Sequence, residues 1–382
     1  MNRVSIQPKM IAWARERSGL DVAALTRRFP AYESWERGEK QPTFNQLEDL
    51  AKKTLTPLGY FFLSEPPEEK LPVPDFRTLK NRSLQRPSPN LLETIYTMQR
   101  RQEWMREYLA GLGAEPLEFV GSATDRTSAV TVARAIRETL GLVDGWAREH
   151  ATWEAALIGL RRAIEAAGVL VMVNGVVGNN NRRKLDPSEF RGFVLCDRLA
   201  PLIFVNGADF KSAQMFTLAH ELAHLWLGKD GIFNLPELQP GHSDTERHCN
   251  AIAAEVLVPD EELLRCWPAA SQSESPVNTV ARNFKVSPLV ASRRMLDAGL
   301  ISRGAYFRFL REHEEDEARK AATAKARGGG GDFYLTQENR VGRRFGRAVA
   351  QAAREGTLLV RDAYRLTGLA GRTFERFTKG LS

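Results

Sequence analysis

Two histidines four residues apart, with a glutamate directly after the first, lie in FTLAHELAHLWLG, residues Phe216 to Gly228. On a helix, an i, i+4 pair puts both imidazoles on one face, one turn apart. His220 and His224 can then reach a single Zn2+. Glu221 projects about 100° away, off the metal but close enough to take a proton from a water held there. This is the physical content of H-E-x-x-H, with the glutamate as general base. Phe216, Leu218, Leu222, Leu225, Trp226 and Leu227 mark the helix for burial, and Gly228 suits its end. Buried imidazoles and a buried carboxylate need partners, and metal ligation supplies them together. The competing reading is a core helix whose histidines find ordinary hydrogen bonds, since so short a pattern also arises by chance.

A third ligand must come from another element. The next helical stretch, SDTERHCNAIAAEVLVP, runs from Ser243 to Pro259. Measured from Glu246 at about 100° per residue, Asn250 falls at about 40°, Leu257 at about 20° and Ala253 at about 340°. Ile252 falls at about 240° and Val256 at about 280°, so Glu246 lies inside the apolar arc. Glu255 falls at about 180°, on the polar side. A carboxylate on a buried face needs a partner, which favours Glu246 over Glu255 as the ligand. Ala253 and Ala254 would let the two helices approach closely. Two alternatives stay open. Ser243-Asp-Thr-Glu246 also reads as a capping box, in which Glu246 bonds only the helix start. His242, in the preceding loop, is a further candidate ligand or transition-state donor, whereas His248, at about 200°, points away.

These residues resemble the ImmA/IrrE metallopeptidase family. The resemblance runs from FRGFVLCDRLAPLIFVN (Phe190–Asn206) through FTLAHELAHLWLG to ERHCNAIAAEVLVP (Glu246–Pro259). It continues more weakly back to about Glu149 and on to about Arg303. The family pattern is H-E-x-x-H, then E-x-x-x-N, small residues and a closing proline. It implies a gluzincin-like zinc site with His220, His224 and Glu246 as ligands and Glu221 as catalytic base. It further implies a protein substrate, usually a helix-turn-helix repressor encoded nearby. Cutting it releases a stress, DNA-damage or mobile-element programme.

The N-terminal WERGEKQPTFNQLEDLAKKTLTPL resembles the second half of an Xre-like helix-turn-helix domain, through its W-E-x-G, P-T and L-x-x-L-A marks. One feature departs from that pattern. Only Pro30–Ser34 separate Phe29 from Trp35, and the missing part is the turn and the start of a recognition helix. A recognition helix needs its first residues in the major groove. Sequence-specific DNA binding therefore stands here against a degenerate docking or dimerising module.

The elements that would position this chemistry are mostly helical. Met10–Ser18, Asp21–Phe29 and Phe44–Lys53, the last with Thr43 as N-cap, make the first module, residues 1–64. A Pro-rich linker, 65–89, begins in SEPPEEKLPVPDF. Asn90–Leu112, Ser128–Leu140 and Ala151–Ala167 read as helices within a domain spanning 90–305. Its strands are Gly168–Val177, Gly192–Asp197 and Pro201–Asn206, β-branched runs bounded by turn residues. PLIFVN or GFVLCD is the expected edge for an extended substrate. Asn278–Leu300 reads as a small helix-turn-helix appendage with Ser287 as a cap. A charged and Gly-rich hinge, 306–332, leads to a basic helical module, 333–382. The expected fold class is α+β: a zincin-like core of a small sheet and two ligand-bearing helices, with helical modules at both ends.

Net charge is +7, and the last fifty residues hold ten Arg and Lys against four acids. Such a tail suits nucleic acid, an acidic protein face, or plain solvation. Within it, DAYRLTGLAGRTFERF reads as helix, Gly turn and helix, which binds DNA or simply packs. Three cysteines, Cys196, Cys249 and Cys266, imply no disulfide framework or Cys-rich zinc module and fit a reducing compartment. The polar N-terminus and the lack of a long apolar run point to the cytoplasm. Besides the zinc endopeptidase, two readings remain: a DNA-binding regulator whose zinc domain is a sensor or structural core, and a partner-binding module of a toxin–antitoxin or phage-defence pair. An open coordination position favours the first. A fourth ligand such as His242 or a cysteine favours a structural site.

Overall fold

The computed structural model describes residues 3–69, 87–233, 244–324 and 333–381. The chain divides into two compact units, residues 1–72 with 79–97, and residues 73–78 with 98–382.

In the first unit, α1 (Pro8–Ser18), α2 (Val22–Arg28), α3 (Tyr32–Glu36) and α4 (Phe44–Thr54) surround a core of Met10, Trp13, Leu25, Tyr32, Trp35, Leu47 and Phe61. Local chemistry sets the helix starts. Asp21 accepts from the Ala24 amide, and Thr43 with Gln46 closes a reciprocal capping box ahead of α4. Leu25, Leu47 and Leu50 turn inward on the apolar stripes of α2 and α4. The shortened segment before Trp35 forms α3, five residues and about 7–8 Å long. Its Tyr32 and Trp35 are buried, so it is committed to packing. Arg37, just after it, pairs with Glu33 and Glu39.

α5 (Pro89–Gly111) starts among the residues of the first unit and ends in the second. The second unit continues with α6 (Ala129–Leu140) and α7 (Trp153–Ala166), capped by Ser128 and Thr152. Strand β1 (Leu170–Asn174) follows, then a hairpin of β2 (Val176–Val177) and β3 (Asn180–Lys184), then β4 (Gly192–Leu195) and β5 (Leu202–Asn206). α8 (Lys211–Leu227), the short β6 (Gly231–Phe233) and α9 (Asp244–Leu257) complete the central layer.

The main sheet has the order β1-β5-β4-β6. β1 runs parallel to β5, while β4 is antiparallel to both β5 and β6. Val171, Val173, Val194, Ile203 and Val205 join the core shared with α8 and α9. Phe193 and Phe204 stack on the opposite face, 4.9 Å between centroids. Burial of both faces explains why these strands read as unbroken apolar runs. Both strands expected at an edge, PLIFVN and GFVLCD, are β5 and β4, the two interior strands. Among the described residues the edges are β1 and β6. Apolar content reports burial on two faces and carries no information about lateral pairing.

After α9, Pro259 begins a helix that its pattern did not announce, α10 (Asp260–Ser271), with Asp260, Glu261 and Glu262 in its first turn. α11 (Pro276–Phe284) and α12 (Pro288–Asp297) form the expected helix pair, and Ser287 caps the second. α13 (Arg303–Ala324) covers most of the expected hinge as helix, while the Gly run lies outside the described residues. The last four helices are α14 (Phe333–Val341), α15 (Arg343–Arg354), α16 (Val360–Thr367) and α17 (Gly371–Gly380). They belong to the same unit as the sheet, and α14 and α15 lie against β1. A Cβ at Gly342, where φ is 81°, would sit 2.8 Å from the Val171 carbonyl oxygen. Glycine is what permits that approach. Among the described residues, no helix is long and apolar enough to cross a membrane.

Candidate metal centre

α8 is buried along most of its length, from Gln214 to Leu227. Gly228 ends it in a left-handed conformation, its amide donating back to the Leu225 carbonyl. α9 lies against it through Cys249, Ile252, Ala253 and Val256. At the open end of this pair, the Lys229 ammonium bonds Thr245 of α9 (3.1 Å) and also pairs with Asp125. That clamp holds the first turn of α9 beside the last turn of α8.

Between the two helices three donors converge. Glu246 places one oxygen 3.2 Å from His220 Nε2 and the other 3.1 Å from His224 Nε2. The two Nε2 atoms are 3.0 Å apart. Tetrahedral zinc with bonds of about 2.0–2.1 Å would set its ligands roughly 3.4 Å apart. The observed spacing is slightly tighter than that and needs only a small outward adjustment. His220, His224 and Glu246 are all buried and could hold a metal ion. Among the described residues no fourth donor joins them. His242 and Ser243 lie outside the described residues.

Protonation states suit a cation. Burial drives the His220 pKa down, which favours the neutral imidazole that ligates. Burial alone would raise Glu246, but the hydrogen bonds to His220 and His224 prevail and hold it at about 2. Glu221 is wholly buried, and among the described residues both carboxylate oxygens lack a hydrogen-bond partner. Burial, then the nearby Glu246 charge, pushes its pKa well above the usual carboxylate range. An orphaned buried carboxylate is costly, and a cation with its water beside the histidines would relieve that cost. The residues present therefore fit a divalent metal.

Two supporting residues were not assigned a role from sequence. Asn250 Oδ1 lies 3.0 Å from His220 Nδ1. A hydrogen bond from Nδ1–H to that oxygen would leave the Nε2 lone pair free for an ion held between the two histidines and Glu246. The signal was present in the spacing: Asn250 follows Glu246 by four and shares its face. The other is Gly192, at the start of β4. A Cβ there would stand 2.6 Å from Thr217 Cγ2, 2.9 Å from Glu221 Oε1 and 2.9 Å from the Phe204 carbonyl oxygen. Only the missing side chain lets the strand pass this close to the glutamate.

Glu255 departs from the helical-wheel expectation. It is buried, paired with Arg294 of α12, and accepts from the Asp260 amide at 3.3 Å. Its face was judged polar and exposed because the wheel of α9 knows nothing of α12. The preference for Glu246 beside the histidines rests on the observed distances.

Residues 164–296 match the family model described as Peptidase_M78, IrrE N-terminal-like domain. This segment is an IrrE N-terminal-like domain. The resemblance to the ImmA/IrrE metallopeptidases therefore holds for the part of the chain that carries the sheet, α8 and α9. Residues 341–380 match a second family model, a domain of unknown function, DUF8813. Comparison with curated proteins and with solved structures finds no match.

Proposed function

We propose that the IrrE N-terminal-like domain is a zinc-dependent endopeptidase acting on a regulatory protein. The observation that carries this reading is the buried His220–His224–Glu246 convergence with the unpartnered Glu221 carboxylate one residue from the first ligand. Among the described residues three protein donors converge, and three donors with a position left for solvent is the arrangement of a catalytic rather than a structural site. Bound there, zinc would acidify a water and polarise the scissile carbonyl.

The chain's own residues do the rest. His220, His224 and Glu246 hold the ion, and Asn250 orients the first imidazole. Glu221 takes the proton of the attacking water and passes it to the leaving amine. An extended peptide would lie along β6, an edge of the sheet, giving main-chain hydrogen bonds without demanding a particular sequence. The substrate class that best suits the family resemblance is a helix-turn-helix repressor encoded nearby, whose loss would release a stress or mobile-element programme.

The test is Glu221→Gln. The variant is expected to fold and to retain about one zinc per chain, while cleavage of the neighbouring repressor falls by about 10²–10⁴-fold. A variant that still cuts at the original rate would remove Glu221 from the role of base. Loss of zinc together with activity would instead point to a role in holding the metal.

A further inference from the structure

The three C-terminal helices α15, α16 and α17 carry features that peptide hydrolysis does not use. α16 has eight residues and α17 ten, and between them stand Gly368, Leu369 and Ala370. Gly368 is left-handed, with φ 71°. A short turn opened by such a glycine is the joint of a DNA-binding helix-turn-helix. The seam agrees with that geometry. Ala363, Thr367, Leu369, Phe374 and Phe377 are buried, and Tyr364 meets Phe374 edge-on at 5.3 Å. α15 supplies the third helix. A Cβ on its Gly346 would lie 2.8 Å from Leu381 Cδ1 and 3.0 Å from Phe377 Cζ.

The outward face of α17 is what separates this helix pair from the others in the chain. Measured round the helix from Arg372, Arg376 falls at about 40° and Lys379 at about 340°. Phe374 falls at about 200° and Phe377 at about 140°. The three cations therefore form one stripe opposite the buried rings, and all three are exposed. Glu375, at about 300°, borders the stripe. Arg361 and Arg365 of α16 are exposed as well. The β2–β3 hairpin stands beside the turn: Asn179 donates to the Gly368 carbonyl at 2.8 Å, and Arg340 holds both Asn179 (3.0 Å) and Asn181 (3.2 Å). Exposed Arg182 and Lys184 on that hairpin extend the cationic surface.

By contrast, α12 is the second helix of a similar pair, but its Ser292 and Arg294 are buried and Arg294 is committed to Glu255 and Asp260. α3, in the first unit, has five residues. α17 alone among these three combines sufficient length with an exposed cationic face. We propose that α16 and α17 bind duplex DNA, with the Arg372–Arg376–Lys379 stripe in the major groove and the β2–β3 hairpin against the flanking phosphates. Helix length, turn geometry and sign of charge all match that one polyanion.

The experiment is fluorescence anisotropy of the full chain on a duplex of about 30 base pairs, across a salt series starting at about 50 mM. Full-chain protein is expected to bind, with log affinity falling linearly against log salt. Arg372→Ala/Arg376→Ala/Lys379→Ala is expected to weaken binding by about tenfold or more and to reduce the salt slope by roughly 3. Arg182→Ala/Lys184→Ala should reduce the slope by up to about 2. The triple variant's Tm and zinc content should match the parent's. If its Tm falls, Arg372→Ala alone carries the test, with a slope change of about 1. Absence of duplex binding at about 50 mM salt, an unchanged slope in the triple variant, or equal affinity for a single strand would each overturn the proposal. None of these outcomes bears on the peptidase reading, which rests on other residues.

Discussion

The α8–α9 pair and the α16–α17 pair are each two helices packed through an apolar seam, and they place their charged groups on opposite sides of it. In the first, His220, His224 and Glu246 turn into the seam, where they are buried. In the second, Arg372, Arg376 and Lys379 turn away from it into solvent. Charges in the seam cost free energy until each has a partner, so their presence points to an ion. Charges in solvent cost almost nothing to keep, so they inform only through their sign and spacing. The first arrangement specifies a small ligand at ångström precision. The second specifies a large polyanion through its field.

If that contrast is right, disturbing buried charge should act on stability, while disturbing the outer stripe should act on binding alone. The largest stability effect is expected from Arg294→Met. It strands Glu255, which is buried, and should cost about 3–5 kcal/mol in urea unfolding. A loss below about 1 kcal/mol would mean that solvent reaches this pair.

Acid titration of the metal-free protein comes next. Glu246 is held at about 2, against 4.5 for an ordinary glutamate, so the stability it contributes is present above 4.5 and lost as pH falls toward 2. That amounts to roughly 3 kcal/mol over the window. His220, whose pKa burial depresses, also loses stability as pH falls through its unfolded value near 6.5. Glu221, raised by burial, has the opposite sign and gains stability as pH falls toward 4.5. Between 6.5 and 4.5 these two act in opposite directions, and below 4.5 the Glu246 contribution adds a decline. Metal-free Glu246→Gln should lack its share of that decline; an identical acid profile would contradict the assignment.

The smallest of these effects is Gly192→Ala. The added methyl meets Thr217, Glu221 and a backbone carbonyl, and should cost about 1–3 kcal/mol. Because the contact pushes on Glu221, peptidase activity should fall even where Tm recovers. A variant with parental Tm and activity would show that the strand can yield.

What could be read in advance was local. The spacing of His220, Glu221 and His224 fixes their relative directions whatever surrounds the helix. Glu246 and Asn250 share a face for the same reason. Thr43 and Ser287 announced helix starts because a cap bonds amides two or three residues away. The five residues between Phe29 and Trp35 can be counted in the sequence, and α3 begins within them.

What the chain order alone could not decide involved distant partners. Glu255 was placed on a solvent face because α12, which covers it, begins more than thirty residues later. The expected edge, PLIFVN or GFVLCD, is interior in both cases, because lateral pairing leaves no trace in composition. Gly192 passed unnoticed because its purpose, room for Glu221, exists only once strand and helix are packed. The sequence by itself determined which side chains share a turn, since helical periodicity is a property of the backbone. Only the tertiary structure decided which of those faces became interior, because burial depends on the elements that arrive from elsewhere.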